Sequence, residues 1–176
     1  MPPARALGAE LAARGIGLVY GGGQVGLMGV LADAVMQGGG TVIGVIPGPL
    51  ATREFAHPGI TELRVVRSMH ERKATMAALA DGFVALPGGF GTLDELLEML
   101  TWAQLGIHAK PVGALNFGGY YEGLRAMLAH GVGEGFIRRE HAGLLAFADT
   151  PAELLEQFAA WRPPPMRRAW LEPSEA

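Results

Sequence analysis

The chain has 176 residues, a formal net charge of −3 and 49% apolar residues, which is enough for a folded core and too little basic charge for general nucleic-acid binding. It contains no cysteine, which excludes disulfides and thiolate chemistry. No apolar run reaches the roughly 18 residues of a membrane span, and Met1-Pro2-Pro3-Ala4-Arg5 has no long apolar stretch behind it, so neither an anchor nor a signal peptide is expected. The expected location is cytoplasmic, with neither nucleic acid nor membrane as partner.

In chain order, a helical pattern spans Arg5 to Arg14. Residues 16–20 (IGLVY) read as a strand, closed by Gly21-Gly22-Gly23. Gly26 to Gln37 reads as a helix, with Leu27, Val30, Leu31, Ala34 and Val35 at three-to-four spacing. Strands are expected at 41–46 and 62–66, a helix at 68–80, and a strand at 82–86 running into a Gly-rich loop. A helix from about Thr92 to Leu105, a strand at 111–115, a helix at 120–130, a strand at 144–147 and a helix at 151–161 complete the pattern. Strand–helix alternation with nearly all-apolar strands predicts a Rossmann-like, doubly wound parallel α/β sheet with helices on both faces. In such a sheet ligands bind outside the carboxyl ends of the strands, where both Gly-rich loops fall. One domain is expected over residues 1–161, followed by a Pro-rich tail at 162–176 that cannot continue a helix. The pairs Arg138-Arg139 and Arg167-Arg168 read as solvated surface.

The loop Pro87-Gly88-Gly89-Phe90-Gly91-Thr92-Leu93-Asp94-Glu95 suits an anion. Its glycines permit φ > 0 and close approach to the amides. Thr92 is a good N-cap, and unpaired first-turn N–H groups with the helix dipole favour a phosphate. A tight strand-to-helix connection would use the same residues. Neither a Gly-Lys-Ser/Thr sequence nor Gly-x-Gly-x-x-Gly is present. Glu95 has two readings. Thr92-x-x-Glu95 fits a capping box, as do Ser68-x-x-Glu71 and Thr150-x-x-Glu153. Glu95 also lies one turn past the proposed phosphate, where a carboxylate reaches the anomeric carbon of a bound ribose 5-phosphate.

The second segment is Ser68-Met69-His70-Glu71-Arg72-Lys73, which opens a helix at a strand's carboxyl end. Met69, Arg72 and Met76 share a face. An arginine inside a methionine stripe either snorkels to solvent or faces an anionic partner. The histidines, at 57, 70, 108, 130 and 141, show no metal-ligand spacing, so no metal is expected.

Gly21-Gly22-Gly23 with Gly26-Leu27-Met28-Gly29, then Met69 to Lys73, Pro87 to Glu95 and Thr101-Trp102-Ala103-Gln104-Leu105-Gly106 together resemble the LONELY GUY family, cytokinin-activating phosphoribohydrolases once labelled lysine decarboxylases. The resemblance runs from about Leu7 to Trp161. It implies a Rossmann-like fold, a homodimer, and hydrolysis of (N6-substituted) adenosine 5′-monophosphate to base and ribose 5-phosphate without a cofactor. It implies Arg72 and Glu95 as the catalytic pair, and Glu54, Lys73, Gly88, Gly89, Gly91, Thr92 and Thr101 as substrate contacts. Members begin with a strand ending in a Cys-Gly-Ser-Ser-like loop, which has no counterpart here. That first strand, expected to be absent from this chain, would leave a gap in mid-sheet or force two strands to re-pair. Molybdenum-cofactor carriers share a Pro-Gly-Gly-x-Gly-Thr loop, so a non-enzymatic nucleotide or anion carrier is the alternative. Lysine decarboxylation would need a pyridoxal Schiff base, and Lys110 lies just before a strand with no supporting motif.

Overall fold

The computed structural model describes residues 2–52 and 55–164. The chain forms two compact units that divide between Ala80 and Asp81. Each holds a three-stranded, all-parallel sheet with helices between the strands. The strand–helix alternation expected from the sequence is therefore present throughout, in a Rossmann-like parallel architecture.

The first unit opens with helix α1 (Pro2–Ala13). Prolines in the first turn are compatible with a helix start, where no N–H partner is lost. Helix α1 packs on α2 (Gly26–Gln37), and small residues set the distance. A Cβ on Gly8 would stand 2.6 Å from the Ala34 Cβ, and one on Gly38 would stand 2.5 Å from the Ala12 Cβ. The seam buries Ala4, Leu7 and Leu11 with Leu31, Ala32 and Val35. Each fully buried leucine or valine contributes about 1.5–3 kcal/mol, so the close approach is what makes this seam stable. Strands β1 (Leu18–Tyr20), β2 (Val42–Pro47) and β3 (Glu62–Val66) lie in that order, with β2 in the centre. The register pairs Leu18 with Val42 and Ile43 with Glu62. Helix α3 (Met69–Leu79) closes the unit and is capped by the Ser68 hydroxyl, which accepts from the Glu71 N–H at 3.1 Å.

The second unit runs β4 (Phe83–Ala85), α4 (Phe90–Leu105), β5 (Val112–Leu115), α5 (Glu122–Gly133), β6 (Leu145–Ala148) and α6 (Pro151–Ala159), with β5 central. All four residues of β5 are buried, which requires cover on both faces of the sheet. Gly113 makes room for α6: a Cβ there would lie 2.6 Å from the Leu154 Cδ1 and 2.8 Å from the Phe158 ring. Leu115, Ala148 and Leu154 form the core, with Val84, Leu86, Ala146 and Phe158 against it. Helix α4 stops at Gly106, whose φ of 79° lets its N–H and that of Ile107 satisfy the Ala103 and Trp102 carbonyls.

Strands β1 and β4 each have a ladder partner on one side only.

Candidate functional site

In the second unit, the loop after β4 leads directly into α4. Two sequence expectations are corrected here. Helix α4 begins at Phe90 with Gly89 as N-cap, so Thr92 is its third residue and not its cap. Gly89 has no side chain with which to satisfy the first turn. Phe90, Gly91 and Thr92 therefore present N–H groups for which the helix itself holds no acceptor, the first helical bond here being Leu93 N–H to the Gly89 carbonyl at 3.1 Å. The second correction concerns the glycines: none of Gly88, Gly89 or Gly91 has a positive φ. Their reasons are steric and differ. A Cβ on Gly88 would collide with the Thr92 hydroxyl, so Thr92 closes back over the loop. Around Gly89 and Gly91 a Cβ would meet nothing within 4 Å. Glycine costs about 1 kcal/mol relative to alanine inside a helix. At Gly91 no described residue within 4 Å requires the missing side chain, and open space beside exposed amides is what an incoming anion needs.

The shifted helix start also bears on the capping-box reading of Glu95. A capping-box glutamate sits at the third helical position and reaches back to the N-cap amide. Glu95 is the sixth residue of α4, about 7.5 Å along the axis from Phe90, and cannot make that bond. The other two sequence patterns do form caps: Ser68 accepts from Glu71 N–H, and Thr150 from Glu153 N–H at 3.3 Å. Glu95 is partly buried and shares a helix face with Thr92. Thr101 lies further along α4, exposed, its hydroxyl donating to the Leu97 carbonyl at 2.8 Å in the same helix. Trp102 and Leu105 are partly buried.

Residues that sequence reasoning missed hold this loop from the far side. The Tyr120 hydroxyl donates to the Gly88 carbonyl and the Tyr121 hydroxyl to the Leu86 carbonyl, both at 2.6 Å. Asn116, a buried polar residue at the end of β5, accepts from the Tyr121 N–H at 2.8 Å. Its amide donates to Glu122 at 2.7 Å and Asp149 at 3.3 Å. Burial, together with the neighbouring Tyr120, pushes the Tyr121 hydroxyl up to about 12, so it stays a donor across the working pH range. The expected helix at 120–130 begins instead at Glu122, behind a 3₁₀ turn at Phe117–Gly119 that delivers the two tyrosines. The available signal was Asn-x-x-Gly-Tyr-Tyr at a strand's carboxyl end.

In the first unit, Arg72 and Lys73 lie in the opening turns of α3, both partly buried. Arg72 does not snorkel outward. Its Nε donates to the Val45 carbonyl at 3.2 Å, and its guanidinium lies against Gly21, where a Cβ would overlap it. The arginine is thus laid across the carboxyl end of β1 and held by β2. The 21–23 loop is itself strapped: Gln24 N–H donates to Phe55, His57 N–H donates to Gly22, each at 2.9 Å, and Gly23 bridges Ala56. His57 Nε2 adds a contact to Asp33 at 3.1 Å. Glu54 lies outside the described residues, as does the pair Arg167-Arg168. No cluster of metal-ligating side chains occurs among the described residues.

Residues 28–158 match a family model described as "Possible lysine decarboxylase". The chain is 54% identical, over 89% of its length, to a "Probable cytokinin riboside 5′-monophosphate phosphoribohydrolase" of Oryza sativa subsp. japonica. It is 51% identical, over 89% of its length and 73% of the relative's, to a cytokinin riboside 5′-monophosphate phosphoribohydrolase of Arabidopsis thaliana. The chain belongs to the LONELY GUY family. It spans 64% of the rice relative's length. The fold is also similar to that of a molybdenum cofactor carrier protein from Chlamydomonas reinhardtii, with a TM-score of 0.66, 24% identity, and coverage of 91% of this chain and 88% of the carrier. At that identity the likeness speaks for the fold that family members and carriers share.

Proposed function

We propose that this protein hydrolyses the N-glycosidic bond of a nucleoside 5′-monophosphate, with adenosine 5′-monophosphate or its N6-substituted forms as substrate. The observation that carries this reading is the α4 N-terminus. It combines first-turn amides without an intrahelical acceptor with two glycines at which a Cβ would meet no described residue within 4 Å. A 5′-phosphate docks on those amides beside Thr92. The names of the relatives supply the reaction class.

The C1′–N bond breaks with its electron pair leaving on the base, which takes up a proton. Positive charge spreads over C1′ and the ring oxygen. Glu95 stabilises that charge, or orients and deprotonates the water whose oxygen bonds to C1′. The family resemblance assigns Arg72 to the same nucleotide, where a guanidinium suits ribose or phosphate oxygens. It assigns Lys73, Glu54 and Thr101 to substrate contact as well. The chemistry asks for no metal or organic cofactor, because the carboxylate meets the developing cation. A homodimer and a cytoplasmic location complete the proposal.

The test is incubation with AMP and with N6-isopentenyl-AMP, scoring base and ribose 5-phosphate by chromatography. Stoichiometric release of both products is expected. Tight AMP binding without base release would overturn the hydrolase reading and leave a carrier.

A further inference from the structure

The two tyrosines at the start of α5 do more than pack. Their rings meet edge to face, with centroids 5.1 Å apart and planes at 89°. Their hydroxyls take carbonyls two residues apart, Leu86 and Gly88, on either side of Pro87. Tyr121 is 1% exposed and Tyr120 is 54% exposed. The buried ring therefore anchors the base of the loop, while the exposed one works at its tip.

The peptide geometry sets the consequence. In a trans peptide the C=O and the following N–H point in opposite directions, and the described residues hold no cis bond. Fixing the Gly88 carbonyl on Tyr120 therefore turns the Gly89 N–H away from the tyrosine. The same hydroxyl occupies a carbonyl oxygen that would otherwise repel a nearby anion. Leu86 precedes Pro87, which has no N–H, so Tyr121 aims no amide and acts as an anchor only. Asn116 holds the Tyr121 backbone, and the turn at Gly118, with φ of 63°, places Tyr120 beyond it.

We propose that Tyr120 is a positioning residue for the phosphate: its hydroxyl holds the Gly88 carbonyl so that the Gly89 amide joins the first-turn amides of α4 in facing the anion. This inference rests on the anion-site reading above. It does not require that the bound nucleotide be cleaved.

The experiment compares wild type with Tyr120→Phe and Tyr121→Phe by calorimetric titration with AMP, steady-state kinetics and thermal melting. Tyr120→Phe removes one hydrogen bond from an exposed ring. It is expected to weaken AMP binding and raise KM by about 3- to 10-fold, with the loss falling on KM rather than kcat and the melting temperature close to wild type. Tyr121→Phe is expected to lower the melting temperature, because a part-buried carbonyl loses its donor. A Tyr120→Phe variant that binds AMP within twofold of wild type overturns the inference. So does one whose loss falls on kcat alone. Wild type that binds AMP without releasing adenine would sink the hydrolase reading, and the AMP affinity of Tyr120→Phe would still decide this one. Wild type that fails to bind AMP overturns both.

Discussion

Two glycine-rich loops follow two strands of this protein, and they use glycine for opposite reasons. The loop at 21–23 is filled from within. Gly22 has a φ of 75° and lies against Leu63 and Ile46, Gly21 abuts the Arg72 guanidinium, and Gly23 pairs with Ala56. The loop at 87–91 has ordinary backbone angles, and at Gly89 and Gly91 the missing side chains leave open space. The first loop shapes the protein, whereas the second leaves room for something else. Composition alone treats the two alike.

Substitutions can break that contrast. The largest effect is expected from Glu95→Gln. Base release should fall by about 10²- to 10⁴-fold, the range associated with a positioned acid or base, while AMP affinity stays within about threefold. Product chromatography and calorimetry measure the two quantities, and near-wild-type turnover would remove Glu95 from the mechanism. Next is Gly22→Ala, which forces a side chain into the left-handed region beside the Leu63 Cδ1 at 3.1 Å. A loss of about 1–3 kcal/mol is expected in a denaturant titration. An unchanged midpoint would show that the first loop is not filled as described. Gly91→Ala should do the reverse: stability unchanged or raised by up to about 1 kcal/mol, because alanine suits a helix better, with AMP affinity reduced. Destabilisation without a loss of affinity would erase the distinction between the loops.

The smallest effect is a pH dependence. Tyr121 has a folded-state pKa raised from 10.0 to about 12, chiefly by burial. Its contribution to stability is fully present below pH 10 and is lost as pH rises through about 12. Tyr121→Phe should therefore show a shallower alkaline decline than wild type when urea midpoints are compared at pH 9 and pH 11.5.

The elements themselves were legible in the sequence. The apolar periodicity marked every strand and α-helix within a few residues, because β5 is buried along its length and β2 nearly so, whereas the 3₁₀ turns left no such trace. The start of α4 was misplaced by local preference. Threonine is a better cap than glycine, yet the helix begins two residues earlier, and that shift removed the capping role from Glu95. The inward course of Arg72 was open in the sequence, since a stripe position says nothing about which carbonyl lies 27 residues away. The tyrosine clamp was not seen at all, because its bonds span 32 and 35 residues and leave no periodic trace.

The sequence by itself determined the parallel α/β alternation, the two caps at Ser68 and Thr150, and the family, because each depends on residues near one another in the chain. The tertiary structure alone decided which glycines are filled and which stand open. It also decided that Arg72 folds onto Val45 and Gly21, and that Tyr120 holds the Gly88 carbonyl. Those outcomes depend on what a distant segment places beside each residue, and hydrophobic pattern and local propensity carry no record of it.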